Sequence, residues 1–168
     1  RSEAELMGKI LHCFQAKDTV GYYYLFPPFD TLWQMVLHST PDAKHEMEQL
    51  MQHPQLLMEF DPSLNPIIMA KFCYVLQKGE DSGIHWQNVY IQRYELHRQE
   101  TSRKLMGISN IIKDRYNGYM FLHDNSSRTT YCVLISEIQT FNGYYVGGQV
   151  NNVLEAETKE EFLYKQEY

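Results

Sequence analysis

The hydrophobic period of the chain changes once, after Gly79, and this change restricts the fold more than any other feature of the sequence. Before Gly79, apolar residues recur three and four positions apart, as Leu6, Ile10 and Phe14 do, which is typical of a helix with one buried face. After it, apolar and polar residues alternate, beginning with the segment 85–97, which indicates strands. Helices followed by strands predict the α+β class, with N-terminal helices packed on an antiparallel sheet.

Capping signals divide the first half of the chain into helices. Ser2 and Glu5 have the spacing of a capping box, which predicts that the first helix begins there. Asp18 or Thr19 can cap a short second helix. That helix is expected to end at the two prolines after Phe26, because proline removes a hydrogen-bond donor and clashes with the preceding turn.

Further helices are predicted before the change of period. Thr40 and Asp61 each precede a proline, and this order is typical of a helix N-terminus. Gly79 is the predicted C-cap of the last of these helices. Residues 1–79 are therefore expected to be mainly helical.

Asparagine–glycine pairs divide the second half into strands. The pairs at 117–118 and 142–143 each lie between apolar runs and predict two-residue hairpin turns. We therefore expect an antiparallel meander over 84–156. Gly147 and Gly148 lie inside its last strand, where glycine usually marks a bulge or bend. The sheet is expected to curve around the helices and leave a cone-like cavity at one end.

A short closing helix is predicted over 158–167, because Thr158 and Glu161 repeat the spacing of a capping box. The chain has 168 residues, which is typical of a single domain. We therefore treat residues 1–168 as one domain.

The charge pattern restricts the partners of the protein. The formal net charge is −6 and the chain contains no run of Lys or Arg, which argues against a nucleic-acid surface and against an anionic membrane surface. No apolar stretch approaches the roughly 20 residues that a spanning helix needs. A small apolar ligand, a protein partner or a homodimer through the sheet remain as candidate partners.

Two features bear on the compartment. The chain begins at Arg1 instead of Met, which favours a processed product that has lost a signal peptide or lipid anchor, and hence export to the cell envelope; a trimmed chain would begin in the same way. Cys13, Cys73 and Cys132 are far apart and are expected to be buried apolar residues, with one disulfide and one leftover thiol as the alternative.

Two segments carry a resemblance to a known family. The segment HCFQAKDTVGYYYLFPPFD is similar to the opening helices of the nuclear transport factor 2-like superfamily, also called cystatin-like α+β folds. The segment GYMFLHDNSSRTTYCVLISEIQTFNGYYVGGQVNNV resembles their final three strands. More narrowly, the chain resembles uncharacterised bacterial domains of the secreted or lipoprotein type. The resemblance implies helices on a curved sheet, and it implies either an isomerase or dehydratase or a member without catalysis.

Aromatic and amide side chains are the candidates for the wall of a ligand cavity, because such walls suit small molecules. The predicted ligand-binding residues are Tyr23, Trp33, Trp86, Tyr90, Tyr94, Glu137, Tyr145, Gln149 and Asn151. By strict alternation, Gln149 and Asn151 share a face with Tyr145. A packed aromatic core is the alternative interpretation of the same rings.

Acid–base chemistry has two weak candidates, Glu137 and Asp18. Glu137 lies among apolar residues of a long strand, by alternation on the same face as Ile135 and Gln139, and burial there would raise its pKa. An exposed face or an ion pair with Arg93 or Arg128 is the alternative for Glu137, and helix capping is the alternative for Asp18. No cofactor motif and no close spacing of metal ligands occur, so we predict neither a cofactor nor a metal.

The sequence thus favours a non-catalytic binding or interaction module with an aromatic-lined cavity. An isomerase-type or dehydratase-type enzyme with a carboxylate base is one alternative. A dimerising structural domain is the other.

Overall fold

The computed structural model describes residues 1–27, 66–99, 112–141 and 144–166, together with single positions between 28 and 65 (31, 34, 45, 48, 49, 51 and 52). These residues form, in order, α1 (Glu3–Ala16), α2 (Thr19–Tyr23), α3 (Pro66–Asp81), a 3-10 turn (Trp86–Asn88), β1 (Val89–Gln99), β2 (Ile112–Asp124), β3 (Thr129–Phe141), β4 (Tyr144–Glu155) and α4 (Lys159–Gln166). The strands form one open antiparallel sheet in the order β1-β2-β3-β4. The predicted α+β class is confirmed.

The N-terminal caps form as the sequence predicts. The Ser2 backbone N–H donates to the Glu5 carboxylate at 2.5 Å, and the Glu5 N–H donates to the Ser2 hydroxyl at 3.2 Å. Asp18 caps α2, because its carboxylate accepts the N–H of Gly21 at 2.7 Å. The helices predicted to begin at Thr40 and Asp61 have their first residues outside the described part of the chain.

The C-terminal cap of α3 is Gly83, so the prediction of Gly79 as its C-cap is wrong. Gly83 has φ +87, and the N–H groups of Gly83 and Ile84 donate back to Glu80 and Gly79 at 3.0 and 2.9 Å, which is a Schellman motif. Gly79 lies one turn earlier and is buried. A Cβ at Gly79 would collide with the indole ring of Trp86, so close packing explains this glycine.

Strand β2 continues through Asn117 and Gly118, so the predicted hairpin at 117–118 is wrong. Gly118 pairs with Leu96 of β1 on one side and with Ile135 of β3 on the other. A Cβ at Gly118 would collide with the carbonyl oxygen of Glu95. The glycine therefore allows β1 to approach closely, and one long strand replaces the two that were expected.

Bulges shift the alternation of side chains in three of the strands. Core-facing residues are three positions apart at Ile91 and Tyr94 in β1, at Ile135 and Ile138 in β3, and at Val150 and Val153 in β4. All six residues pack in one core cluster, and the register of strand pairing shifts at or next to each of these points. Each extra residue exchanges the two faces of the strand beyond it.

The bend predicted at Gly147 and Gly148 is confirmed, since their φ angles are +80° and +93°. Glu137 of β3 lies opposite this bend and also has a positive φ, +55°, and both Glu137 and Gly148 lie between the pairs Ser136–Gln149 and Ile138–Gly147. A Cβ at Gly147 would lie 2.5 Å from the Glu137 carbonyl oxygen. Strands β3 and β4 therefore bend together.

The two faces of the sheet are covered unequally. Helices α1, α2 and α3 cover one face and enclose the main core, which includes Phe14, Tyr22, Phe72 and Trp86. The short helix α4 covers part of the other face through Phe162, which packs with Phe121, Cys132 and Ala156. Thr158 caps α4 by accepting the N–H of Glu161 at 3.0 Å, and the predicted closing helix is confirmed.

Candidate functional site

Five aromatic rings form one column between the helices and the sheet. Trp86 stacks on Phe14 with ring centroids 4.5 Å apart, and Phe14 stacks on Phe72 at 5.0 Å. Phe72 stacks on Tyr22 at 4.2 Å, and Phe26 meets the edge of Tyr22 at 5.6 Å. All five side chains are at most 5 % exposed. The aromatic residues of the interior are therefore packed against one another.

The hydroxyl group of Tyr22 joins this column to the outer edge of β4. It donates to the carbonyl of Gly148 at 2.8 Å and accepts the N–H of Val150 at 3.0 Å. Burial raises the pKa of Tyr22 far above its usual value. The buried phenol thus takes the place of a neighbouring strand at the bend of β4, where backbone groups would otherwise be unpaired.

The predicted aromatic ligand residues lie in different environments. Trp86 is 3 % exposed, and its indole N–H donates to the Leu76 carbonyl at 3.1 Å. Tyr94 is half-buried against the main core. Tyr90 is 46 % exposed on the other face of the sheet, where its ring lies 5.5 Å from that of His123. Trp33 lies outside the described residues.

Four tyrosines lie on two segments that are hydrogen-bonded to each other, the end of α2 and the start of β4. We call Tyr23, Tyr24, Tyr144 and Tyr145 the tyrosine corner. Its two backbone segments are joined because the Gly147 N–H donates to Leu25 at 2.9 Å, while the Tyr145 N–H donates to Arg1 at 3.0 Å. Tyr24 and Tyr144 are 65 % and 60 % exposed. The corner therefore presents two open rings on a fixed backbone.

The other two rings of the tyrosine corner are half-buried. Tyr23 meets Tyr24 edge to face, with centroids 5.5 Å apart. Tyr145 lies 5.7 Å from Tyr116 of β2. Burial, together with a hydrogen bond to Tyr116 and nearby carboxylates including Glu3, raises the pKa of Tyr145 to about 12. The ring of Tyr23 therefore packs against the exposed ring of Tyr24, whereas Tyr145 packs against Tyr116 and the main core.

The amide residues of β4 bind α3. Lys71 donates to the side-chain oxygen of Asn151 at 2.6 Å, and Gln149 donates to the same oxygen at 2.8 Å. The Asn151 amide donates to the Ser136 hydroxyl at 2.7 Å. In the same way, Lys78 donates to Asn152 at 2.7 Å. The two lysines of α3 thus hold the edge of the sheet.

Gln149 and Asn151 are on one side, as predicted, but the expectation that Tyr145 shares that side is wrong. Tyr145 packs against the main core, whereas Gln149 pairs with Ser136, which alternates with the core residue Ile135 and so faces away from the helices. The bend at Gly147 and Gly148 lies between them and exchanges the faces.

The same shift moves Glu137, so the prediction that it shares a face with Ile135 and Gln139 is wrong. Ile138 takes the next core position, and Glu137 is the bulge residue. Its carboxylate lies 3.8 Å from Arg115, which was not among the partners considered. Among the described residues, the Oε2 atom of Glu137 is buried without a hydrogen bond. The positive φ adds backbone strain of about 1–2 kcal/mol.

A buried aspartate orients an exposed histidine at the opposite end of the sheet. Asp124 is 0 % exposed and accepts both the backbone N–H of His85 at 2.9 Å and its ring Nδ1 at 3.1 Å. Ser126 donates its N–H to the other carboxylate oxygen at 2.7 Å. Burial acts to raise the pKa of Asp124, but these hydrogen bonds outweigh it and hold that pKa below its usual value.

The His85 side chain is 59 % exposed. Because the carboxylate can only accept, Nδ1 of a neutral ring carries the proton and Nε2 is left as an acceptor. Sequence reasoning missed this pair, since the two residues are 39 positions apart. It also selected Tyr23 and missed the neighbouring Tyr22, which is the buried ring.

The cysteines are free, and one of them contradicts the expectation of burial. Cys13 and Cys132 are buried, whereas Cys73 is exposed on α3. Burial raises the pKa of Cys13 to about 11 and that of Cys132 to about 12. The two buried thiols therefore stay protonated near neutral pH and act as small apolar side chains.

Comparisons of the chain with protein-family models, with curated proteins and with solved structures find no match. Within the described ranges, no three His, Cys, Asp or Glu side chains are grouped so that they could hold a metal ion. No helix in the described part of the chain is long and apolar enough to cross a membrane. Function is therefore inferred from the geometry of the described residues.

Proposed function

We propose that the protein is a non-catalytic interaction module that binds a protein partner through the tyrosine corner. The observation that carries this proposal is the pair of open rings, Tyr24 and Tyr144, at 65 % and 60 % exposure on hydrogen-bonded backbone. Tyrosine is enriched at protein interfaces because its ring offers a large contact area and a polar end while losing little conformational entropy. Leucine or methionine on a free loop would lack these advantages.

The charge of the protein favours a basic partner. The net charge is −6, and Glu3 and Asp114 are close enough to Tyr145 to raise its pKa. A partner segment with apolar and basic side chains would therefore be attracted to this corner. The resemblance to the nuclear transport factor 2-like superfamily, and export from a bacterial cell, remain predictions from the sequence.

A displayed library of random peptides tests the proposal. Peptides selected on the protein are synthesised, and their affinity is measured by titration calorimetry. We expect basic and aromatic peptides whose affinity falls at least tenfold for Tyr24→Ser and for Tyr144→Ser, as is typical of interface anchors. Tyr90→Ser is the matched control, since this ring is also exposed but lies on β1, and it should leave the affinity unchanged.

Two outcomes would contradict the proposal. One is a set of peptides that bind wild type and both tyrosine variants equally. The other is binding of apolar fragments that shift the amide resonances of the aromatic column and leave those of the corner unchanged, which would favour a cavity for small molecules.

An acid–base enzyme is the second candidate, and the geometry of Glu137 favours it. A strained backbone and a buried carboxylate oxygen without a hydrogen bond are features that cluster at active sites. The guanidinium of Arg115 lies 3.8 Å from this carboxylate and would orient it toward a substrate. Exchange of protons next to a carbonyl, followed by NMR in D2O, should then be abolished by Glu137→Gln; absence of exchange with wild type would reject this candidate.

A further inference from the structure

Strand β1 is an edge of the sheet that the described part of the chain leaves open. Among the strands that the structure describes, β2 lies on one side of β1 and none lies on the other. Beyond the carbonyl of Val89, which accepts the Gln15 side chain at 3.0 Å, no described helix or strand donates a backbone hydrogen bond to this outer edge. An open strand edge is a template for pairing with another strand.

We propose that β1 pairs antiparallel with β1 of a second copy of the chain, across a two-fold axis at Leu96. The pairing uses the segment Arg93–Gln99, whose ladder with β2 has no irregularity. The bulge between Ile91 and Arg93 ends this regular segment on its N-terminal side. Two such segments would join the two four-stranded sheets.

The sequence of the segment is complementary to itself about Leu96. An axis there sets Glu95 opposite His97 of the second copy and Tyr94 opposite Arg98 of the second copy, and each pairing occurs twice. Leu96 lies directly opposite Leu96 of the second copy. A carboxylate opposite an imidazole that can hydrogen-bond to it, and an aromatic ring opposite a guanidinium, both favour cross-strand contacts, and no like charges face each other.

Neighbouring registers are less favourable. An axis at Glu95 would set two carboxylates directly opposite each other, which is destabilising. An axis at Tyr94 would extend the pairing into the bulge at Gln92. Of these three axes, only the one at Leu96 uses the whole regular segment without setting carboxylates opposite each other.

The other edge of the sheet is already occupied, and this favours a second β1 as the partner. The N–H groups of Tyr145 and Gly147 donate to Arg1 and Leu25, and that of Val150 donates to the Tyr22 hydroxyl. A head-to-tail contact between β1 and β4, which would generate open fibres, is thus blocked. Pairing of β1 with β1 closes a dimer. It does not involve the tyrosine corner and is independent of the function proposed above.

Sedimentation equilibrium over a range of concentrations tests the pairing. We expect wild type to form a dimer, and we expect His97→Glu and Glu95→Lys each to weaken it at least tenfold, because the first sets two carboxylates opposite each other and the second removes the acceptor that faces His97. The double variant Glu95→Lys with His97→Glu sets a lysine opposite a carboxylate and should return to within about threefold of wild type. Glu160→Lys, on the exposed side of α4, is the matched control and should not change the dimer.

A disulfide test checks the register. In a Cys73→Ser background, Leu96→Cys should form an intermolecular disulfide on oxidation, because residues directly opposite have Cβ atoms about 4.5–5.5 Å apart. Tyr94→Cys should cross-link much more slowly, and circular dichroism confirms that both variants are folded. A protein that is monomeric at every concentration, a dimer insensitive to the single charge changes, or equal cross-linking at 94 and 96 would each overturn the proposal.

Discussion

The two edges of the sheet are protected in opposite ways. The outer edge of β4 is covered by the chain itself, through the backbone of Arg1 and Leu25 and the hydroxyl of Tyr22. The outer edge of β1 carries charged side chains of both signs, including Arg93 and Glu95, whose charged groups are 3.9 Å apart. Covering an edge buries its backbone and makes it part of the core. Charged side chains leave the edge accessible, but they favour only those partner strands whose charges are complementary.

This difference predicts where substitutions are costly. The covered edge depends on buried rings, paired bulges and the hydrogen bonds of a buried phenol. The open edge depends on groups that water already solvates. Changes beneath β4 should therefore reduce the free energy of unfolding much more than changes on β1, and the following measurements test that ranking from the largest expected effect to the smallest.

The largest effect is expected for Phe72→Ala. Phe72 is 0 % exposed and stacks on both Phe14 and Tyr22, so its removal leaves a cavity and should cost about 3–5 kcal/mol. Tyr74→Ala on the same helix is the control, because Tyr74 is 53 % exposed and should change stability by less than about 1 kcal/mol. Urea unfolding measures both. An equal loss of unfolding free energy in the Phe72 and Tyr74 variants would show that the aromatic column does not support the covered edge.

Gly148→Ala should cost about 2 kcal/mol. Its φ of +93° is strained for alanine, and the added Cβ would lie 2.8 Å from the Cδ1 atom of Ile10. Gly8→Ala is a control with the opposite sign: nothing lies within 4 Å of its Cβ position in α1, so alanine there should stabilise by up to about 1 kcal/mol. Thermal unfolding of the two variants gives the comparison, and a stabilised Gly148→Ala would contradict the bend.

Tyr22→Phe isolates the hydroxyl group at the covered edge. The ring stays in the column, but the Val150 N–H and the Gly148 carbonyl lose their partner. Leaving buried groups unpaired should cost about 1–3 kcal/mol. Amide hydrogen exchange at Val150 should accelerate, because its N–H loses this hydrogen bond. Tyr23→Phe is the control and should be nearly neutral, and an unchanged exchange rate in Tyr22→Phe would mean that water satisfies this edge.

Asp124 should make stability depend on acid pH. Its pKa is lowered in the folded protein, so the unfolded chain binds the proton more tightly. The resulting stabilisation is complete above the unfolded value of about 3.9 and is lost as pH falls through the lower folded value. The slope of the unfolding free energy against pH, measured between pH 5 and 2, should decrease in Asp124→Asn. An unchanged slope would assign the acid sensitivity to other carboxylates.

The smallest effect is expected on β1. The side chains of Glu95 and His97 are 39 % and 46 % exposed and lie 3.7 Å apart, and pairs with this access to solvent contribute about 0–1 kcal/mol. Glu95→Gln should therefore leave the unfolding of the monomer within about 0.5 kcal/mol of wild type, while weakening the dimer. Dilute urea titrations measure the monomer. If Glu95→Gln lowered the unfolding free energy as much as Tyr22→Phe does, the two edges would not differ in their contribution to stability.

Local signals in the sequence predicted the parts of the fold that depend on neighbouring residues. The caps at Ser2 and Asp18 are satisfied within three positions along the chain, and the bend at Gly147 follows from the glycine itself. The change of period after Gly79 placed the helices before the strands correctly. These features need no knowledge of distant contacts.

Features decided by distant contacts could not be predicted. Gly79 and Gly118 have the appearance of a cap and a turn, but their contacts are with Trp86 and with the backbone of β1. The candidate site has the same limitation. The face of Gln149 depends on a bulge that alternation cannot reveal, and the pair of His85 and Asp124 joins segments 39 residues apart.

The bend shared by β3 and β4 also limits how the length of the chain can change. Glu137 and Gly148 are opposite each other between two intact backbone pairs. Deleting either residue alone would shift every later pair by one and turn the side chains of one strand to the wrong face. Deleting both would remove the bend and keep the register. In any lineage that carries this sheet, these two positions should be gained or lost together. A length difference confined to one of the two strands would indicate that the core side chains have been rearranged.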